Sequence, residues 1–170
     1  MNPIKRLPAL AAILAAVLPP AMASAHVVLT ERQAVTGAYH AATFRVGHGC
    51  GEAATTAVTV RLPDAVPTAR PQPKPGWSIS FGREPVDPPL SDHGKPLTER
   101  IRTVTWTGLL PPDQFDDFAL LMALPSTPGD LAFAVTQTCG DQSVAWDGAD
   151  AAHPTPVLTL LPAASGAHQH

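Results

Sequence analysis

Thr56-Ala57-Val58-Thr59-Val60-Arg61-Leu62 sets an apolar side chain at every second position from Val58 to Leu62, with threonine and arginine between. A period of two is the signature of a strand with one face on a core and one on solvent. The same rhythm recurs in Thr43-Phe44-Arg45-Val46, in Ile101-Arg102-Thr103-Val104-Thr105-Trp106-Thr107 and in Phe133-Ala134-Val135-Thr136-Gln137-Thr138-Cys139. Valine, threonine and aromatic residues crowd these runs, and proline, glycine and aspartate separate them, as in short strands joined by turns. The pattern predicts strands near 27–31, 38–46, 55–62, 77–81, 100–107, 116–124, 131–139 and 143–147, with a ninth at 156–161. Asp116 to Leu124 is the one stretch that also suits a helix.

Sixteen of the twenty prolines lie after residue 25 and leave little room for a long helix, because proline removes a backbone donor and clashes with the preceding turn. The expected fold is all-β, a two-sheet sandwich of immunoglobulin-like or cupredoxin-like type. Pro63 to Pro75 is expected to run extended and semi-rigid up to Gly76-Trp77, and Arg83 to Thr98 to form a long loop.

Ahead of this domain stand Lys5 and Arg6, nine apolar residues from Leu10 to Leu18, Pro19-Pro20 and the small-x-small triplet Ala23-Ser24-Ala25. These are the three parts of a secretory signal, and the apolar run is far short of the roughly 20 residues a membrane span needs. Residues 1–25 are therefore read as a cleaved signal peptide, 26–161 as the domain and 162–170 as a disordered tail. The protein is expected to be periplasmic or secreted, with no transmembrane segment once processed. Two of the eleven basic residues and none of the fourteen acidic ones precede His26, so the processed chain carries a net charge of −5. That balance argues against nucleic acid and anionic membrane surfaces.

Both cysteines, Cys50 and Cys139, lie in the exported part. In an oxidising compartment such a pair usually closes. Two thiolates on Cu(I) and a reactive thiol are the competing readings, and neither cysteine belongs to a C-x-x-C.

Cleavage after Ala25 makes His26 the first residue. Its α-amine and Nδ1 then close a six-membered chelate ring on one metal, and nitrogen donors suit late divalent ions, Cu(II) foremost. The plain alternative is that a histidine follows the cut by chance. None of the other histidines forms an H-x-x-H or H-E-x-x-H arrangement.

His26-Val27-Val28-Leu29, Gly37-Ala38-Tyr39 and Phe44-Arg45-Val46-Gly47-His48-Gly49-Cys50-Gly51 resemble the YcnI-like (DUF1775) family of secreted copper-binding domains, in an HGC-containing form. The likeness continues through Val60-Arg61-Leu62-Pro63, Lys74-Pro75-Gly76-Trp77, Val104-Thr105-Trp106, Cys139 and Trp146, so it spans roughly 26–161. It implies an immunoglobulin-like sandwich outside the cytoplasmic membrane that binds copper through a single-histidine brace, here His26, with a tryptophan, here Trp146, beside the metal. The family's third ligand is a carboxylate just past the strand ending in Val46, and the matching positions in this chain are His48 and Gly49. His48 is the natural replacement, with a polar strand-end residue as its ordinary alternative. It would give three nitrogens, which favours Cu(II) over Cu(I). Glu52 and His93 are weaker metal candidates. Trp77 and Trp106 are assigned to packing, with Trp77 a possible rim residue; Met122 is assigned to the core, and Glu84, Asp116 and Asp117 to solvent.

The implied function is copper holding, handling or delivery, with a copper-exporting or copper-receiving protein as partner. Two other classes compete: a copper-dependent redox enzyme in which Trp146 relays electrons, and a metal-independent β-sandwich that binds a protein. No catalytic constellation is evident, and Ser80 and Ser143 lack the G-x-S-x-G elbow of a serine hydrolase.

Overall fold

The computed structural model describes residues 26–92 and 95–164. The signal-peptide reading and His93 lie outside the described residues. Twelve strands follow one another in the described chain: β1 (Val28–Leu29), β2 (Gln33–Val35), β3 (Tyr39–Val46), β4 (Thr55–Arg61), β5 (Arg70–Pro71), β6 (Ser78–Asp92), β7 (Lys95–Leu110), β8 (Asp116–Ala123), β9 (Gly129–Ala132), β10 (Val135–Cys139), β11 (Gln142–Trp146) and β12 (Val157–Leu161). They form a four-stranded sheet β1-β3-β8-β5, a five-stranded sheet β11-β10-β4-β7-β6 and a small sheet β2-β12-β9. The β2–β12 pair is parallel.

The core forms where the two larger sheets turn their alternating apolar faces on one another. Ala42, Phe44, Phe118, Leu120 and Met122 come from the first, and Val58, Val60, Val104, Trp106 and Val135 from the second; all are essentially buried. Phe118 ties the layers together, with Trp106 and Trp77 edge-on to it at centroid distances of 5.5 and 4.9 Å. Trp77 and Trp106 are thus packing residues, and a Cβ on Gly108 would stand 2.4 Å from the Trp77 indole, so only glycine leaves room for that ring.

Two sequence expectations change. Arg83 to Asp92 and Lys95 to Thr98 are not loop: β6 and β7 run on through them as an antiparallel pair, with backbone pairing interrupted between Pro85 and Leu90. The prolines are accommodated because β6 is the sheet edge, where a missing N–H forfeits no ladder bond. The strand expected at 131–139 is two strands, β9 in the small sheet and β10 in the five-stranded one. Within the extended proline-rich segment, Arg70 and Pro71 also pair with β8.

The carboxylates expected to be solvated are held in ion pairs. Arg45 makes a two-pronged contact with Asp117 at 2.8 Å on each prong, Lys74 meets Asp116, and Glu84 contacts Arg100. The hydrogen bond from Arg45 holds the Asp117 carboxyl below its ordinary range. A carboxyl with a depressed folded pKa gives stability that is complete above the unfolded value, about 3.9, and lost as pH falls through the folded one. Thermal unfolding of Asp117→Asn is therefore expected to start from a lower midpoint at pH 6 and to fall less steeply than the parent between about pH 4 and pH 2. Parallel slopes would show that this pair does not set the acid limit.

Candidate metal site

Strand β1 delivers His26 to the end of the sandwich. Val27 and Leu29 are buried, and β1 pairs with β3 so that Val28 faces Arg45 and Leu29 faces Phe44. Continuing that antiparallel register by two residues brings His26 level with Gly47, immediately before His48.

Trp146 meets His26 from the other sheet. It ends edge strand β11, opposite Val135, and is 6% exposed. The His26 and Trp146 rings touch edge to face, with centroids 5.8 Å apart and planes at 89°. A second imidazole, His153, lies against the same indole at 5.1 Å. The indole Nε1 is buried and has no hydrogen-bond acceptor in the protein. A buried N–H without an acceptor costs free energy, so it marks a place where a bound water or ligand atom is expected.

The His48-Gly49-Cys50 turn closes the next side. Gly49 N–H donates to the Pro112 carbonyl at 3.2 Å, and Cys50 and Ala53 exchange backbone hydrogen bonds at 3.1 and 3.2 Å across a tight turn with Gly51 at φ 65°. Cys50 is joined to Cys139 of β10 by a disulfide, as expected, with their Cα atoms 6.0 Å apart. The pair therefore offers no thiolate to copper. Gln137, 3% exposed, donates from Nε2 to the His48 carbonyl at 2.7 Å and to Thr55 Oγ1 at 2.8 Å, tying the turn to the sheet from beneath.

His48 Nδ1 is in contact with the Gly49 carbonyl. His48, Gln137, Trp146 and His153 line a common cavity of about 460 Å³. His26 lines a different cleft, of about 330 Å³, with Arg32 and the segment Pro154 to Val157. Glu52 sits at the exposed tip of the turn and does not line the cavity beside Trp146. Gly49, the other position matching the family carboxylate, is buried: a Cβ there would lie 2.1 Å from the Ala53 carbonyl oxygen and 3.0 Å from Pro112.

Among the described residues no three His, Cys, Asp or Glu side chains gather as a metal-holding group. A brace places less demand on side chains, since one residue supplies two nitrogens through its amine and ring. The donor chemistry at this end of the domain, imidazoles with an unsatisfied indole N–H and no cavity-lining carboxylate, fits a late transition metal better than a hard cation. Sequence reading made His26 and His48 ligands with Trp146 beside the metal; the structure sets the His26 ring on Trp146 and puts His48 in the lining of the cavity beside that indole. The sequence reading missed His153 and its partner Asp150, for which Asp150-Ala151-Ala152-His153 carried the only local signal.

No helix among the described residues is long and apolar enough to cross a membrane. A solved protein from Nocardia farcinica, whose crystal structure reveals an immunoglobulin-like fold, is 35% identical and superposes with a TM-score of 0.60, the match covering 79% of this chain and 97% of that one. No curated protein matches the sequence. The model of a domain of unknown function, DUF1775, matches residues 26–160, from the proposed first residue of the processed chain to the last strand. Together with the sandwich and the residues gathered at its end, this match establishes that the chain belongs to the DUF1775 family.

Proposed function

We propose that this chain, exported and cut after Ala25, binds copper through the amine and Nδ1 of His26 and holds the ion or hands it to a partner protein outside the cytoplasmic membrane. The observation that carries the reading is the contact between the His26 ring and the buried Trp146 indole at the end of the domain. Trp146 walls the ion from water on that side, and its unsatisfied Nε1–H is available to a water or anion on the metal. His48 lies one residue past the level of His26 and lines the cavity beside Trp146. An all-nitrogen set of this kind favours Cu(II), with Cu(I) accommodated at lower coordination number.

The test compares processed protein beginning at His26 with a form carrying one extra residue ahead of it. The extension converts the amine to a peptide nitrogen and is expected to weaken Cu(II) binding at least tenfold and to change the EPR spectrum. Equal affinity with identical spectra in the two forms would sink the brace.

A further inference from the structure

The loop after Trp146 is tied down by its own aspartates. Asp147 Oδ1 accepts from the Ala149 N–H at 3.0 Å, and Asp150 Oδ1 accepts from the N–H groups of Ala152 and His153 at 2.8 and 2.9 Å. Gly148 N–H donates to the His153 carbonyl at 3.0 Å, and Gly148 holds a φ of 79° with Thr155 Oγ1 only 2.8 Å from where a Cβ would stand. The backbone at His153 is thereby fixed relative to Trp146.

The side chain is fixed as well. His153 Nδ1 lies 2.8 and 3.0 Å from the two carboxylate oxygens of Asp150. An ionised carboxylate only accepts, so Nδ1 donates to Asp150, and Nε2 is the ring nitrogen that this contact leaves for a metal. A carboxylate on one ring nitrogen is the usual outer partner of a histidine that binds metal with the other: it sets the tautomer, fixes the ring and raises the basicity of the donor. This imidazole rests on the Trp146 indole that His26 also touches, in the wall of the cavity shared with His48.

We propose that His153 is a further donor to the copper held at His26, presenting Nε2, and that Asp150 positions it. The assignment rests on the brace reading above. His153 takes over the role that the resemblance gives to a carboxylate: of the two matching positions, Gly49 has no space for a side chain and the other is His48. The exchange puts an imidazole nitrogen where an anionic oxygen would be and moves the negative charge one residue out, to Asp150.

The experiment uses processed protein beginning at His26 and the variants His153→Ala, His153→Gln and Asp150→Asn. Cu(II) affinity is read by competition with a chelator, and coordinated imidazoles are counted by pulsed EPR. Glutamine keeps a polar group against Asp150 while removing the imidazole, and thermal unfolding reads the fold of each variant separately. Both His153 variants are expected to lose about tenfold or more in affinity and one imidazole from the spectrum, and Asp150→Asn to lose about tenfold with the imidazole count unchanged. Parent affinity and parent imidazole count in both His153 variants would overturn the assignment. The form extended ahead of His26 separates the two readings. Copper loss on extension with unaffected His153 variants removes His153 and keeps the brace; unchanged binding on extension with copper loss in the His153 variants removes the brace and keeps His153 as a donor.

Discussion

With Cys50 and Cys139 both changed to alanine, the midpoint of thermal unfolding is expected to fall by on the order of 15 °C, and the proposed copper site to loosen with it. The bond spans 89 positions, so it removes a large part of the freedom of the unfolded chain, and loop-closure entropy puts the effect at about 4.5 kcal/mol. Alanine is the suitable replacement, since Cys139 is 2% exposed and a serine hydroxyl there would need a new partner. The native state also loses an anchor. The turn from Gly47 to Ala54 hangs between β3 and β4, and without the disulfide it is fixed mainly by Gln137 on the His48 carbonyl and by Gly49 on Pro112. Calorimetry of the double variant in a buffer without reductant makes the measurement, with the parent under strong reductant as a second route to the same state. A midpoint loss under about 5 °C in both would mean that the sheets alone hold the turn.

The strand rhythm carried the fold because burial in this sandwich follows it closely. Val58, Val60 and Leu62 alternate inward as the pattern says, and Phe118, Leu120, Met122 and Leu124 do the same, which makes a strand of the one stretch that also suited a helix. Rhythm does not reveal which sheet a strand joins. Leu131, Phe133 and Val135 are all buried at regular spacing, yet the chain leaves the partner strand of Leu131 and takes up that of Val135 across Phe133-Ala134. Both sheets face one core, so the inward positions stay in phase through the change. The long β6–β7 pair was hidden for a different reason. Pro85, Pro88 and Pro89 read as a loop until it is known that β6 is an edge, a fact held by topology and not by local composition.

The site was legible to the extent that chemistry sat on regular elements. His26 begins the chain segment leading into β1, and Trp146 ends β11, so pairing brings both to the same end of the sandwich. His153 was not legible, because a lone histidine in a polar loop is ordinary. Its distinguishing features are the carboxylate three residues earlier and the indole beneath it, and only the second separates it from any loop histidine. Glu52 shows the converse. It is near the expected ligand position in sequence, but the Cys50–Ala53 pairing puts it on the exposed tip.

Gly49→Glu would place a carboxylate at a position where the family resemblance implies a ligand, and it is expected to destroy the turn instead of improving the site. The obstacle is space, since the first side-chain carbon would stand 2.1 Å from the Ala53 carbonyl oxygen and 3.0 Å from both Cα and Cβ of Pro112. Neither neighbour is the end of a flexible side chain. Relief requires opening the Cys50–Ala53 backbone pairing or displacing Pro112, and the disulfide at Cys50 resists the first. Gly49→Ala isolates this steric term and is expected to cost about 3 kcal/mol, the upper part of the usual range for overpacking a closed site. Thermal unfolding of both variants and Cu(II) titration of whichever folds make the measurement. A Gly49→Glu protein as stable as the parent and binding Cu(II) more tightly would show that the turn can reshape to carry the family carboxylate. It would also leave His153 and Asp150 without a role to replace. Loss of stability in both variants, with copper affinity in any folded fraction no higher than the parent's, is the outcome expected if the third donor is His153, in the loop after Trp146, as proposed.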